Sequence, residues 1–429
     1  MAIFKGGLAG LPREQLQRYL LLNIYGAPLS ALWAAFNTLI AAHVVEQLVS
    51  EGQKNTFLGV LLGFGLGIAA LTQPFAGAVS DRYGSRFGRR KPFILGSALL
   101  DGVFICAFGL ATNFWLAFVA YAFLQLAANF GQAAYQALVP DFAREEERGV
   151  ASGAKAALEV VGRVIGLGVA GLFIWLDMDW GAYAAIILLL LSGALITFRH
   201  LREPPVEGQP LLRGIFSTGL KAYTFDVRAN PRFARLVATR FVFFAGIGSI
   251  SGFLRNFMSD VLGLEEPEVW AAGVLVVATV VGVVGALAAG TIVDRLGRRR
   301  VAIAAALIAA VYLLPLAFFP RLYLMLVLGG VLGLAGGAFT VSTWAFLADE
   351  IPKGESARFY GIANYAMAGA GALGMVIFGP MIDGLNAWKE VAGFRALIVI
   401  AAILIVACLP LLPQERWRAA RRPVTDADG

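Results

Sequence analysis

The side chains that could hold a proton or bind a solute lie inside long apolar stretches, and their spacing sorts them into groups. Lys155, Glu159 and Arg163 recur every fourth residue, which puts them on one face of a helix. Counted from a helix start near 150, Glu159 falls ~13 Å and Arg163 ~20 Å along the axis. A carboxylate beside a cation at that depth can exchange a proton as the contact forms and breaks. Burial disfavours its charged form and the cation favours it. Asp101 reaches a similar depth in another stretch, and the competing reading is a neutralised structural network of Asp101, Glu159 and the two cations. Asn37, His43 and Glu46 share an earlier stretch, His43 and Glu46 near its outer end. Glu159 is therefore the first candidate proton carrier, ahead of Glu46 and Asp101, with Arg163 also a candidate solute contact.

Gln125, Asn129, Gln132 and Gln136 form a single helical stripe of amides. Amides donate and accept, so they suit an uncharged hydroxylated ligand; the same stripe can instead join helices. Trp33, Trp344 and Tyr365 offer rings for stacking on a sugar or for packing, and Arg240 and Arg255 are candidates for lining the second half. The candidate solute contacts are thus Gln125, Asn129, Gln132, Asn37, Arg163, Trp344 and Tyr365. No metal-ligand cluster, nucleophile–base pair or phosphate-binding loop is seen. The expectation is a non-enzyme with no catalytic residue, no metal and no cofactor.

These residues need a membrane scaffold. The chain has 429 residues, 59% hydrophobic and only 15% charged, with mean hydropathy +0.74; soluble domains carry about a quarter charged residues. Its apolar runs are each long enough to cross a bilayer, which takes ~20 helical residues. They do not alternate in polarity, so helices rather than barrel strands are expected. Twelve spans are read at 20–47, 56–79, 92–111, 114–138, 150–174, 181–198, 233–259, 268–292, 300–319, 322–347, 357–382 and 391–412. This divides the chain into a six-helix bundle at 1–198, a polar linker at 199–232 and a second bundle with a basic tail at 233–429. The linker stretch from Leu211 to Arg228 reads as an amphipathic surface helix.

Lys and Arg crowd one set of loops, exemplified by Arg86, Arg89, Arg90, Arg298, Arg299 and Arg300. By the positive-inside rule both termini are cytoplasmic. The rule also accounts for the net charge of +7 without a nucleic-acid partner. Cys106 and Cys408 lie in apolar runs and suggest no disulfide framework, and no cleavage pattern precedes the first span. The expected setting is the cell (inner) membrane, multi-pass and monomeric, with lipid, a small-molecule solute and protons as partners.

The chain repeats itself. Gly77-Ala78-Val79-Ser80-Asp81-Arg82-Tyr83-Gly84 after span 2 matches Gly290-Thr291-Ile292-Val293-Asp294-Arg295-Leu296-Gly297 after span 8. A second echo pairs Asp141…Arg148…Gly153 with Asp349…Arg358…Gly361 at the same Asp-to-Gly interval. Two ordered repeats argue for a duplicated half. Gly77 and Gly290 are expected to let helices approach, and Asp81 and Asp294 to accept hydrogen bonds from a helix N-terminus. Arg82, Arg295, Arg148 and Arg358 are expected to pair with acids on adjacent loops. Together these gating contacts would tie the two halves at their cytoplasmic ends.

At these residues the chain resembles the major facilitator superfamily, whose loop motif is Gly-x3-Asp-Arg-x-Gly-Arg-Arg. The resemblance covers nearly the whole chain and implies two six-helix bundles working by alternating access. The longer loop, ending Ser85-Arg86-Phe87-Gly88-Arg89-Arg90-Lys91-Pro92, is similar to that of the sucrose–proton symporters and their glycoside–cation relatives. Asn129, Gln132 and Asp141 fall in register with that branch. The branch's span-four Asp is Gln125 here and its downstream Arg is Gln136. An amide carries no proton at physiological pH. The resulting expectation is a secondary transporter of a sugar or glycoside, with proton coupling open; the alternative is an exporter of amphipathic drugs or lipids.

Overall fold

The computed structural model describes residues 12–144, 147–205, 225–351 and 356–414. Among them the chain is all-α, with twelve helices long and apolar enough to cross a membrane. Numbered in chain order these spans are 1 (Gly26–Leu48), 2 (Glu51–Arg82), 3 (Lys91–Gly109), 4 (Phe114–Phe142), 5 (Val150–Trp175) and 6 (Asp179–His200). They continue with 7 (Pro231–Gly252), 8 (Pro267–Val293), 9 (Arg298–Phe318), 10 (Leu322–Glu350), 11 (Gly361–Trp388) and 12 (Ala392–Leu411). Local signals set several starts. Asn113 accepts a hydrogen bond from the Leu116 N–H to cap span 4, and Pro231 and Pro267 open spans 7 and 8, where a missing N–H costs nothing.

Spans 1–6 pack among themselves as 1 on 5, 2 on 4, 3 on 4 and 3 on 6. Spans 7–12 repeat the pattern as 7 on 11, 8 on 10, 9 on 10 and 9 on 12. The halves meet through spans 2 and 11 and through spans 5 and 8. Large apolar side chains point outward, among them Leu71, Leu188, Leu287 and Phe319. That is the arrangement a lipid solvent demands.

Small residues let the helices close up. A Cβ on Gly162 would fall onto the Ala27 carbonyl of span 1, and one on Gly333 onto the Ala278 carbonyl of span 8. Such backbone approach lets dispersion hold helices that gain no hydrophobic energy from each other in lipid. Gly77 and Gly290 differ: a Cβ at either meets nothing within 4 Å, so neither mediates a close approach in this conformation.

Three local features depart from the sequence expectation. A helix at Arg13–Asn23 precedes span 1. Span 1 widens to a π turn at Phe36–Ile40, where Asn37 meets span 4. The stretch expected as one span at 233–259 breaks at Phe253, and a short helix, Leu254–Asp260, turns Arg255 toward the first half. The expected linker helix at 211–228 falls largely outside the described residues.

The span 8–10 seam should be far less tolerant than the loop-motif glycine. Gly333→Ala should lower the thermal midpoint of the detergent-solubilised protein, consistent with an overpacking cost of about 1–3 kcal/mol. Gly77→Ala should leave the midpoint nearly unchanged. Equal shifts in the two variants would contradict this assignment.

Candidate functional site

Twelve spans return the chain to its starting face, so residues near 12 and near 414 lie on one side, the terminal face. There the repeated loops form matched ion pairs. Gly88 (φ +91°) and Gly297 (φ +88°) adopt the left-handed conformation that glycine tolerates, each turning the chain into the next span. The arginines that follow then reach the second echo. Arg89 and Arg90 pair with Asp141 at 3.2 and 3.0 Å, and Arg298 pairs with Asp349. In each half, an arginine beyond the first echo thus pairs with the aspartate that opens the second.

In this conformation the described contacts of the motif stay within one half, so the expected tie between the halves, which would form only when this face closes, is not made here. Asp81 accepts from the buried Arg90 guanidinium, which also donates to Ser80, all within the first half. Nor does Asp81 cap the next helix. Glu203, arriving after span 6, accepts from the backbone N–H groups of Arg89, Arg90 and Lys91. Arg148 donates to the Pro140 carbonyl at 3.4 Å. Arg82 lies in the last turn of span 2, and Arg295 in the last turn of the helix Pro267–Leu296 that carries span 8. The side chains of Asp294 and Arg358 lie outside the described residues.

On the opposite face, polar side chains cross between the halves. Lys54 of span 2 donates to Asp260 at 2.6 Å and to Glu46 at 3.0 Å. Arg255 lies against Glu46 and donates to Glu268 at 2.6 and 2.9 Å. His43 sits between Glu268 (3.3 Å) and Asp179 (3.2 Å). Asp383 of span 11 accepts from Asn55 Nδ2 and from both N–H and hydroxyl of Thr56. Trp175 donates to Glu266 at 2.7 Å. Backbone contact reinforces the charges, since a Cβ on Gly59 would strike the Met375 carbonyl and one on Gly379 the Asn55 carbonyl. Lys54, Arg255 and Glu268 are all buried. Burial pushes the Asp260 carboxyl above the ordinary carboxylate range, against the opposing pull of Lys54. Each of these contacts between the halves lies on this face.

The interior holds two contrasting regions. In the first half, Gln73 donates to Asn129, Asn129 to Gln125, Gln125 to Tyr121 and Tyr121 to Asn37, in steps of 2.6–3.2 Å. Gln125 and Asn129 are each 1% exposed, so their amides are spent on one another and on span 2. Gln132 accepts from the Trp33 indole at 3.0 Å, and Asn37 and Gln132 are half-buried. The second region is a cavity of about 390 Å³ bounded by spans 5, 7, 8 and 10. Phe244, Ile247, Leu275 and Leu332 are typical of its walls, and Arg163 is its one charged lining residue.

The expected Glu159–Arg163 pair is not made in this conformation. Glu159 lies 4.0 Å from Lys155 and accepts from Tyr135 at 3.4 Å, while Arg163 forms no ion pair with a described carboxylate. Asp101 is fully buried; it accepts from Ser97 at 3.2 Å through one oxygen while the other has no partner. Trp344 lies under Arg240 rather than open to the cavity, and Tyr365 is half-buried on span 11. The charged seam escaped sequence reading because its partners are far apart in the chain. Only the unusual polarity of His43, Glu46 and Lys54 at the ends of apolar runs hinted at it.

Removing one member of this seam should open its face, since stranding a buried charge costs about 3–5 kcal/mol. Spin labels at Thr112 and Lys389, one on each half, report the separation by pulsed electron resonance. Arg255→Gln should populate longer distances than the parent. Acidification should do the same, because Asp260, with its raised pKa, takes up a proton early and releases Lys54. Unchanged distributions under both conditions would show that the charges do not hold the face shut.

Comparison with known proteins agrees with this architecture. The Major Facilitator Superfamily model matches residues 22–375 and 274–426. Multidrug resistance protein MdtG of Yersinia enterocolitica is 25% identical over 373 residues, covering 84% of each chain. MdtG of Escherichia coli K12 is 25% identical over 371 residues, covering 84% of this chain and 85% of its own. Among solved structures, the nucleoside transporter NupG superposes with TM-score 0.73 at 17% identity, over 93% of this chain and 100% of that one. The D-xylose–proton symporter superposes with TM-score 0.70 at 18% identity, over 92% and 97%. With its family model spanning most of the sequence, its duplicated loop motif and its twelve spans in two matching bundles, this chain belongs to the major facilitator superfamily of membrane transporters.

Proposed function

We propose that this transporter moves an amphipathic, largely apolar solute of the drug or lipid class, in preference to a sugar. The carrying observation is the cavity. Its walls are hydrocarbon and aromatic, with Ser251, Thr279, Thr340 and Arg163 as the polar exceptions. A sugar presents a hydroxyl at nearly every carbon, and each one buried without a partner is costly. The amides best suited to answer them, Gln125 and Asn129, are already satisfied and sealed. The name of the MdtG relatives points the same way. A sugar is the second reading, favoured by the half-buried Trp33, Asn37 and Gln132.

Orientation follows from the basic loops, which assign the terminal face to the cytoplasm of an inner (cell) membrane. The sealed opposite face then makes this an outward-closed conformation. Alternating access requires that seal to break and the terminal ends of the bundles to close in turn. Proton coupling, if present, runs through Glu159, Glu46 or Asp101. Glu46 belongs to the seam itself, so its protonation would loosen the grip on Lys54 and Arg255. Glu159 would act by exchanging Lys155 for Arg163.

Proteoliposomes carrying a pH gradient test the reading. Aromatic amphipaths should show counterflow exchange, and glucosides should not compete with them. Gln125→Ala should lower protein stability more than solute affinity. Glu159→Gln should abolish gradient-driven accumulation while leaving exchange partly intact. Exchange of glycosides alone would overturn the proposal, and accumulation that survives Glu159→Gln would remove Glu159 as the carrier.

A further inference from the structure

Arg240 of span 7 is the bulkiest side chain in the described structure to be wholly buried. A guanidinium presents five N–H donors and is always charged. Here it donates to Thr343 Oγ at 2.6 Å and to the Met367 sulfur, a weak acceptor, at 3.7 Å. Its Nε has no partner, and no described carboxylate pairs with it. The charge rests on the Trp344 ring, 4.3 Å from its centroid, and more distantly on Phe244 at 5.4 Å. Ring faces attract cations but offset only part of the loss of water around a buried charge.

The other buried arginines of this protein are treated differently. Arg90 has Asp81 and Asp141, and Arg255 has Glu46 and Glu268. Where the fold needs an arginine only for structure, it supplies the acid. At Arg240 it supplies aromatic walls and a single hydroxyl, and leaves donors idle.

Position suggests what the missing acceptor is. Phe244, one turn along span 7, and Thr340, whose carbonyl accepts from Thr343, both line the apolar cavity. On both helices Arg240 and Thr343 lie on the side nearer the terminal face. The guanidinium therefore sits just behind one end of the cavity, with the Phe244 ring between them.

We propose that Arg240 is an anion subsite. The acidic head of an amphipathic solute, a carboxylate, sulfonate or phosphate monoester, pairs with its guanidinium while the apolar body occupies the cavity. Phe244 turns aside to admit the head, and Trp344 stays as the platform beneath the cation. This rests on the reading of the cavity as the solute site, and it adds a sign to the solute: net negative at the end nearer the terminal face. Arg163, which faces the cavity and is exposed, is the competing cation.

Two probes of the same shape separate these possibilities: 2-naphthalenesulfonate and the uncharged 2-naphthalenemethanol, titrated calorimetrically against the full chain in detergent. The parent should bind the sulfonate more tightly than the alcohol. Arg240→Gln should weaken the sulfonate about tenfold or more and leave the alcohol unchanged. Arg240→Lys, which keeps the charge should the first variant not fold, should retain part of the preference. If the parent binds neither probe, the cavity reading fails and the subsite with it. If the parent binds both, but the sulfonate preference is absent, survives Arg240→Gln or disappears only in Arg163→Gln, the subsite is wrong while the cavity reading stands.

Discussion

Lys54, Arg255 and His43 meet Glu46, Asp179, Asp260 and Glu268 where the two halves touch, and this charged seam governs the rest of the structure. Each bundle is internally complete, with its own packing pattern and its own loop salt bridge on the terminal face. What sets their relative tilt is therefore the contact between them. An apolar seam alone would have little preference in lipid, because tails solvate leucine as well as a neighbouring helix does. Buried charges behave differently. They are expensive to strand and their geometry is directional, so the interface is either made or broken. A two-state joint of this kind is what alternating access needs.

The cavity follows from the same arrangement. One face is zipped by charge and by the glycine contacts of spans 2 and 11, and the cavity lies between spans 5, 7, 8 and 10. Its lining divides the chemistry of the two halves. The first half keeps its amides for itself, in a ladder from Gln73 to Asn37. The second half contributes the apolar wall and, behind it, an arginine without an acid.

Much of the fold was legible because bilayer thickness fixes span length and leaves apolar runs of one size. Duplication was legible too, since Asp81/Asp294 and Asp141/Asp349 recur in order. Their meaning was only half legible. The sequence shows that Asp141 recurs as Asp349, but not that Arg89 touches Asp141, because a loop turned by Gly88 brings them together across a gap of fifty-odd residues. The amide stripe was visible by helical spacing, whereas its occupation by Gln73 of span 2 and Trp33 of span 1 depends on neighbouring helices. Glu159 and Arg163 share a face by count, yet Lys155 and Tyr135 reach the carboxylate instead. Periodicity gives faces; which neighbour fills a face is a tertiary property.

The central claim is that the seam must separate in every transport cycle. Thr56 and Asp383 face each other across it, with Oγ and Oδ2 2.6 Å apart. In a background with Cys106 and Cys408 replaced by serine, Thr56→Cys with Asp383→Cys can be oxidised to a disulfide between the halves. Solute exchange in proteoliposomes, measured before oxidation, after it and after reduction, tests the claim most directly. The account predicts that exchange stops when the bond forms and returns when it is reduced. Undiminished exchange in fully crosslinked protein would contradict it.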